Sequence, residues 1–368
     1  MLVSIFCLFI VIVIVQFLYY IVVFGKFAFA KPQTGTPKRI PISVIVCAKN
    51  EEENVRTLIP LLVEQNYPQF EIVLIDDASS DNTLEIFEEF EKLHTNIKLV
   101  KVENNEAFWG NKKYALTLGI KAAKYEYLLF TDADCLPSSK DWIANMSSQF
   151  TVEKTIVLGY GAYEKITNSF LNKIIRFETL LTATQYFSWA KLGKPYMGVG
   201  RNLAYKRDEF FKVRGFMDHM KIRSGDDDLF INQAAEAKNT AVCYLPNSFT
   251  YSKPKTSFKE WFTQKRRHIS TAKHYKIFDQ NQLGIFYVSQ LLFLVLPIIL
   301  LSFEFQWIAV VSIIGFRYIF AWITMGFAAG KLKEKDVMYW FPIIEIVLIF
   351  TQLNIFVANT FSKPVHWK

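Results

Sequence analysis

Three acidic clusters carry the residue types that could do chemistry. Asp76-Asp77 closes one apolar run, Thr131-Asp132-Ala133-Asp134 closes a second, and Asp226-Asp227-Asp228 sits in a polar stretch. Carboxylates gathered at strand ends repel one another, and a divalent cation held by oxygen ligands is the usual compensation. Such a cation needs a phosphate, so the pattern points to a nucleoside diphosphate, a metal and a base. In the Asp132-Ala133-Asp134 segment, alternating residues of an extended chain project to one side, so both carboxylates can address one diphosphate and its ion. Mg²⁺ or Mn²⁺ suits all-oxygen ligation. Within residues 226–228 the mutual repulsion raises one pKa toward the value a base needs near neutral pH. Against these stand plainer readings: an acidic helix cap followed by a turn at 51–77, and solvated charged turns at 132–134 and 226–228.

The elements around these clusters alternate. Residues 41–48 form a β-branched run, the mark of a strand buried on both faces. Asn50 to Asn54 opens a helix with acidic residues in its first turn and Val55, Leu58, Ile59 and Leu62 as its apolar stripe. Strands follow at 71–75, 97–102 and 127–130, with helices at 84–93 and 112–123 between them. The alternation specifies a doubly wound α/β sheet. Ligands of such sheets bind outside the carboxyl ends of the strands, the edge where Glu51, Asp76, Asp77, Asp132 and Asp134 fall. No phosphate-loop or dinucleotide glycine fingerprint occurs, which argues against ATPases and NAD enzymes.

Composition sets the surroundings. The 368 residues are 51% hydrophobic and 16% aromatic, too apolar for a purely soluble protein, yet the middle is too charged for a membrane bundle. Residues 2–24 carry no charge and exceed the roughly 20 needed to span a bilayer. A cleaved signal peptide is disfavoured: no Lys or Arg precedes the run, and the run outlasts a signal core. Further apolar stretches lie at about 284–303, 306–328 and 338–361. Lys26, Lys31, Lys38 and Arg39 follow the first span, and Lys331, Lys333 and Lys335 lie between the last two. The positive-inside rule puts both groups in the cytoplasm and the amino terminus outside. The expected domains are a transmembrane helix at 1–25, a cytoplasmic domain at 40–275 and three spans within 283–361, integral to the cytoplasmic membrane. The net charge of +8 concentrates beside the spans and near 264–276, which fits lipid headgroups and substrate phosphates, not nucleic acid. Four cysteines without paired spacing indicate neither zinc nor disulfides.

Taken in order, VIVCAKNEEENV, VLIDDASSDNT, GNKKYALTLGI, FTDADCLP, GRNLAY, SGDDDLF and QKRRH resemble the inverting family 2 glycosyltransferases of GT-A fold, over roughly residues 40–275. The flanking helices resemble the membrane-integrated members. The resemblance implies donor-site roles for Ala48, Glu51, Asp76, Asp77, Lys112 and Asp132, with Asp134 the more direct metal ligand and Asp132 beside it. It implies a general base in the 226–228 triplet: Asp227 first and Asp226 second, or Asp226 and Asp228 as the pair if Leu229 sets the register. Asn202 falls on the acceptor side. Gln264, Arg267 and His268 resemble an acceptor and diphosphate segment in which His268 replaces a tryptophan, a substitution that weakens the stacking role an indole would have and argues against processive synthesis. A basic amphipathic helix at the membrane surface is the plain alternative there.

The implied activity is transfer of a sugar from a nucleotide-sugar donor to a lipid-linked, lipid or glycan acceptor. A non-catalytic scaffold of the same fold and a nucleotidyltransferase are the alternatives. Residues 166–190 carry Phe170, Ile174, Phe177, Leu181, Thr184 and Phe187 at helical spacing, read as core packing. On the last span Glu345, Gln352 and Asn359 share a face, and Arg317 on the preceding span is the expected partner of Glu345, since a lone charge at mid-bilayer costs about 2.5–3.5 kcal/mol on insertion scales.

Overall fold

The computed structural model describes residues 1–31, 33–36, 38–103, 112–222 and 224–362. Gly110 and Asn111, which open one of the motifs, lie outside them. The chain divides into two compact units. One comprises Pro32–Lys165 and Gly193–Pro254, the other Met1–Lys31, Ile166–Leu192 and the described residues from Lys255 to Ser362. The helices Phe170–Lys191 and Phe258–Ile269, both inside 40–275, group with the second unit.

The first unit is an α/β fold. Strands β1 (Ile42–Ala48), β2 (Phe70–Asp76), β3 (Ile97–Lys101) and β4 (Tyr127–Asp132) alternate with helices Glu52–Val63, Thr83–Leu93 and Lys112–Ala122. Further strands are β5 (Cys135–Pro137), β6 (Ile156–Leu158), β7 (Gly161–Tyr163), β8 (Leu203–Lys206), β9 (Thr240–Val242) and β10 (Thr250–Ser252). The main sheet runs β3-β2-β1-β4-β8-β6-β9, and β5-β10-β7 form a small second sheet. β1 to β4 are mutually parallel, as the buried apolar runs of β1, β2 and β4 imply, while β8 runs antiparallel between β4 and β6. The sheet is therefore mixed, parallel over β1 to β4 and antiparallel at β8. Short β8, with four residues, lacks the length and pattern to announce its direction.

Val44, Val46, Ile72 and Leu74 meet Val55, Leu58, Ile59 and Leu62 in the core on one face of this sheet. Each such side chain contributes about 1.5–3 kcal/mol of burial. That packing fixes the register, and the register matters: Ala48 pairs with Asp76 and Cys47 with Asp132, so the acidic strand ends finish level.

In the second unit, four helices are long and apolar enough to cross a membrane: Leu2–Ala28, Ile277–Ser302, Trp307–Lys331 and Lys335–Phe361. They coincide with the four stretches expected from hydropathy. Helix Phe170–Lys191 buries Ile174, Phe177, Leu181, Thr184 and Phe187 of the stripe read as core packing, while Phe170, in its first turn, is exposed. Its Arg176 forms buried ion pairs with Glu334 and also reaches Asp336 at 2.6 Å. Arg317 and Glu345 pair as expected, with Tyr20 donating to the same carboxylate at 3.0 Å and Gln290 at 3.4 Å. Gln16 accepts from the Arg317 guanidinium, so side chains from all four apolar helices meet in one buried network.

Candidate active site

The crevice is built at the carboxyl ends of β1, β2 and β4. Asn50 and Ala78, just past β1 and β2, adopt left-handed backbone with φ of 56° and 53°. Such conformations cost non-glycine residues about 1–3 kcal/mol and persist only where their surroundings over-determine them. Here they are held: Ser80 N–H donates to Asn50 Oδ1 at 2.7 Å, Asn50 N–H to Ser79 Oγ at 3.1 Å, and Lys49 Nζ to the Asp77 carbonyl at 3.0 Å.

On this rim Ala48 is buried, and its carbonyl accepts the Asp77 N–H at 2.9 Å. Asp76 is buried and accepts from Ser79 N–H. The Asp77 carboxyl is pushed up by burial, partly offset by Lys49, with Asp76 pushing it further. Glu51 makes no side-chain bond to the amino terminus of its helix, contrary to the plain capping reading, and instead accepts from Asn54 at 2.6 Å. Its carboxyl is raised by burial, and Asp134 and Asp132 add to the shift, which ties Glu51 electrostatically to the second acidic cluster.

Lys112 joins the second cluster to the third. Its ammonium lies 2.7 Å from Asp132 and 3.2 Å from Asp226. Burial would discharge it, but Asp132 and then Asp226 outweigh that and hold its pKa well above the ordinary value. Asp226 is correspondingly lowered: burial opposes ionisation, and Lys112 leads the effects that favour it. Asp227 goes the other way. Burial, then Asp226, then Asp228 raise it to about 7. Both Asp227 oxygens already accept backbone bonds, from Gly200 N–H at 2.7 Å and from Asp228 N–H at 2.8 Å. Asp228 itself is buried in the first turn of helix Asp228–Ala234. Cys47, Lys112, Asp132, Gly200, Asp226 and Asp227 line a single cavity.

Asp132, Asp134 and Cys135 bring their possible ligand atoms within 4.8 Å of one another. Buried Cys135 donates its thiol to Asp134 at 3.3 Å, and burial, then Asp134, hold that thiol protonated, which makes it a poor ligand. The remaining donors are carboxylate oxygens, a set that fits Mg²⁺ or Mn²⁺ completed by phosphate and water.

Asn202, expected on the acceptor side, is fully buried. Its amide donates to the Tyr160 and Ser248 carbonyls at 2.9 and 2.6 Å, and its oxygen accepts from Trp142 at 3.1 Å. It is a brace, and the group of its turn that meets the acidic loop is the Gly200 N–H. Gln264, Arg267 and His268 lie on helix Phe258–Ile269 of the helical unit. There Lys265 pairs with Glu178 and Arg266 donates to Asn359 at 2.9 Å, while Arg267 and His268 approach to 3.4 Å.

With the crevice in view, two family models match the chain: Glycosyl transferase family 2 over residues 43–222 and Glycosyl transferase family group 2 over residues 140–349. The chain belongs to the family 2 glycosyl transferases. Among relatives of this glycosyl transferase, the poly-beta-1,6-N-acetyl-D-glucosamine synthase of Staphylococcus epidermidis is 43% identical over 93 residues, 25% of this chain and 21% of that one. The probable glycosyltransferase YdaM of Bacillus subtilis is 26% identical over 240 residues, 62% of this chain and 55% of its own. The chain thus spans about a fifth of the first relative and just over half of the second. Among solved structures, the mannosyltransferase PcManGT of Pyrobaculum calidifontis, in complex with GDP-Man and Mn²⁺, superposes with a TM-score of 0.59 at 18% identity, covering 95% of this chain and 99% of that one. That likeness shows the GT-A fold.

The residue of this glycosyl transferase that sequence reasoning undervalued is Lys113. It is 1% exposed. Its position in the stripe of helix Lys112–Ala122, three residues before Leu116, was the available signal.

Proposed function

We propose that this chain moves a sugar from a nucleoside-diphosphate donor to an acceptor hydroxyl with inversion at the anomeric carbon, and that the acceptor is carried on a lipid, a lipid-linked glycan or a polysaccharide. The observation that carries this reading is Lys112 Nζ bridging Asp132 and Asp226, because it sets the diphosphate-side and base-side carboxylates around one cavity. Four apolar helices in the same chain favour an acceptor at a membrane, and the basic residues beside them favour a cytoplasmic catalytic unit.

Asp76, Asp77 and Glu51 are acceptors suited to base N–H and ribose hydroxyl groups. Asp134, with Asp132, would hold Mg²⁺ or Mn²⁺, which supplies charge stabilisation for a departing diphosphate. Lys112 stands where it can share that charge. Proton removal from the acceptor is assigned to Asp226. Both line the cavity, but Asp227, first choice from the sequence, has each oxygen engaged by a backbone N–H group and serves to fix the loop, whereas Asp226 is kept ionised by Lys112. Geometry ranks before pKa in choosing a base. Arg267 and Gln264 are proposed to serve the diphosphate and the acceptor.

The test is nucleoside-diphosphate release by the purified full chain in detergent with Mn²⁺, across a panel of nucleotide sugars with membrane extract as acceptor source. Release from at least one donor, abolished by EDTA, is expected. No release from any donor contradicts the reading.

A further inference from the structure

The loop that carries the acidic triplet is gripped from below by a buried cation. Lys113 Nζ donates to the carbonyls of His219, Ile222 and Ser224 at 2.9, 2.8 and 2.9 Å. An ammonium has three donors and no acceptor, so three converging carbonyls match its whole capacity. Immediately after the last of them comes Gly225, at φ +91°, where an added Cβ would lie 2.5 Å from Leu229 Cδ1. Any other residue there would be strained at that φ and would push the Leu229 side chain aside. Asp226 follows at once, then Asp227 with its backbone bonds to Gly200 and Asp228.

Lys112 and Lys113 are neighbours on one helix, so they leave it about 100° apart. Lys112 takes the Asp226 carboxylate; Lys113 takes the backbone that delivers it. We propose that Lys113 is a positioning residue for the proton-accepting loop: by tying the His219, Ile222 and Ser224 carbonyls to the helix that bears Lys112, it holds Asp226 at its working distance from the donor-side carboxylates. The burial that this requires lowers the Lys113 pKa to about 8, an effect partly offset by Asp226, Asp228 and Asp227. The ammonium is therefore charged at neutral pH, although its site costs it part of that charge's solvation. A misplacement of about 1 Å at a reacting group can cost on the order of 10²-fold in rate, so a brace one layer from the chemistry can govern turnover.

The inference deepens the transferase reading and rests on it for the role of Asp226. Lys113→Met removes the charge at similar length, and Lys113→Gln leaves two donors. In both, nucleoside-diphosphate release is expected to fall about 10- to 100-fold in kcat with donor KM within about threefold of wild type. Binding of UDP or GDP with Mn²⁺ should be equally preserved, and amide exchange should quicken in 217–222 and 224–229 but not in β1 or β4. Wild-type kcat in folded Lys113→Met, or unchanged exchange in that loop, overturns the proposal. So does global unfolding of both variants, since Lys113 would then be a brace of the whole fold. If the wild type releases nothing from any donor, the transferase reading fails on its own account, and the nucleotide-binding and exchange comparisons still decide the role of Lys113.

Discussion

Arg317 and Glu345 meet as a two-pronged pair inside the helical unit, Nη1 to Oε2 at 2.7 Å and Nη2 to Oε1 at 2.6 Å, with both side chains withdrawn from the surface. The guanidinium also sits 4.6 Å from the Phe293 ring centroid and 5.0 Å from that of Tyr318, an aromatic lining that favours a cation.

Glu345→Gln would leave that guanidinium buried beside a neutral amide. Removing one partner of a buried pair costs about 3–5 kcal/mol, whereas replacing both by apolar residues of similar volume is often near neutral. Thermal unfolding in detergent should therefore show a large loss for Glu345→Gln and a smaller one for Arg317→Met with Glu345→Leu. Equal losses would mean that the pair does not couple.

Asp227 gives a pH dependence with a definite sign. Its folded pKa is raised to about 7 from an unfolded value near 3.8. The folded state thus binds the proton more tightly, and this group's contribution to stability is fully present below about pH 4 and lost as pH rises through about 7. Asp227→Asn removes the charge at every pH, although its amide can accept only one of the two backbone bonds. Whatever the offset that this sets, its melting temperature minus that of the wild type should become steadily more positive from about pH 4 to about pH 7. A difference that is flat with pH removes the shift.

Lys112→Met takes away the cation between Asp132 and Asp226 and lets those carboxylates repel. Binding of UDP or GDP with Mn²⁺ should weaken by about tenfold or more, in line with the loss of about 1.5–3 kcal/mol for a charge-assisted bond. Calorimetric titration reads this directly, and unchanged affinity would take Lys112 out of the donor site.

Asp134→Ala should abolish the metal dependence of that same binding while leaving the fold intact, because Asp134 is a carboxylate of the Asp132, Asp134 and Cys135 group and no core residue. If Mn²⁺ still strengthens nucleotide binding to this variant as it does in the wild type, the metal is held elsewhere.

Much of this was legible in the sequence because local signals agreed. Apolar runs set β1, β2 and β4, the Asp-Ala-Asp spacing stood at a strand end, and hydropathy marked the four apolar helices. Even the Arg317–Glu345 pair followed from the cost of a charge in an apolar span. What escaped depended on contacts remote in sequence. Lys113 is 106 residues from His219, and nothing in its neighbourhood says that three carbonyls will converge on it. Asn202 carries the same amide whether it faces a substrate or braces Trp142. Choosing between Asp226 and Asp227 required knowing where the Gly200 N–H points, which no spacing within 226–228 can give.

The claim at the centre is that Asp226 takes the acceptor's proton inside a crevice whose donor side is complete without it. The direct measurement is single-turnover sugar transfer by Asp226→Asn beside the wild type, with nucleotide binding measured on the same samples. The account predicts unchanged UDP or GDP affinity and a transfer rate lower by about 10² to 10⁴. Transfer at the wild-type rate by the folded variant would contradict it.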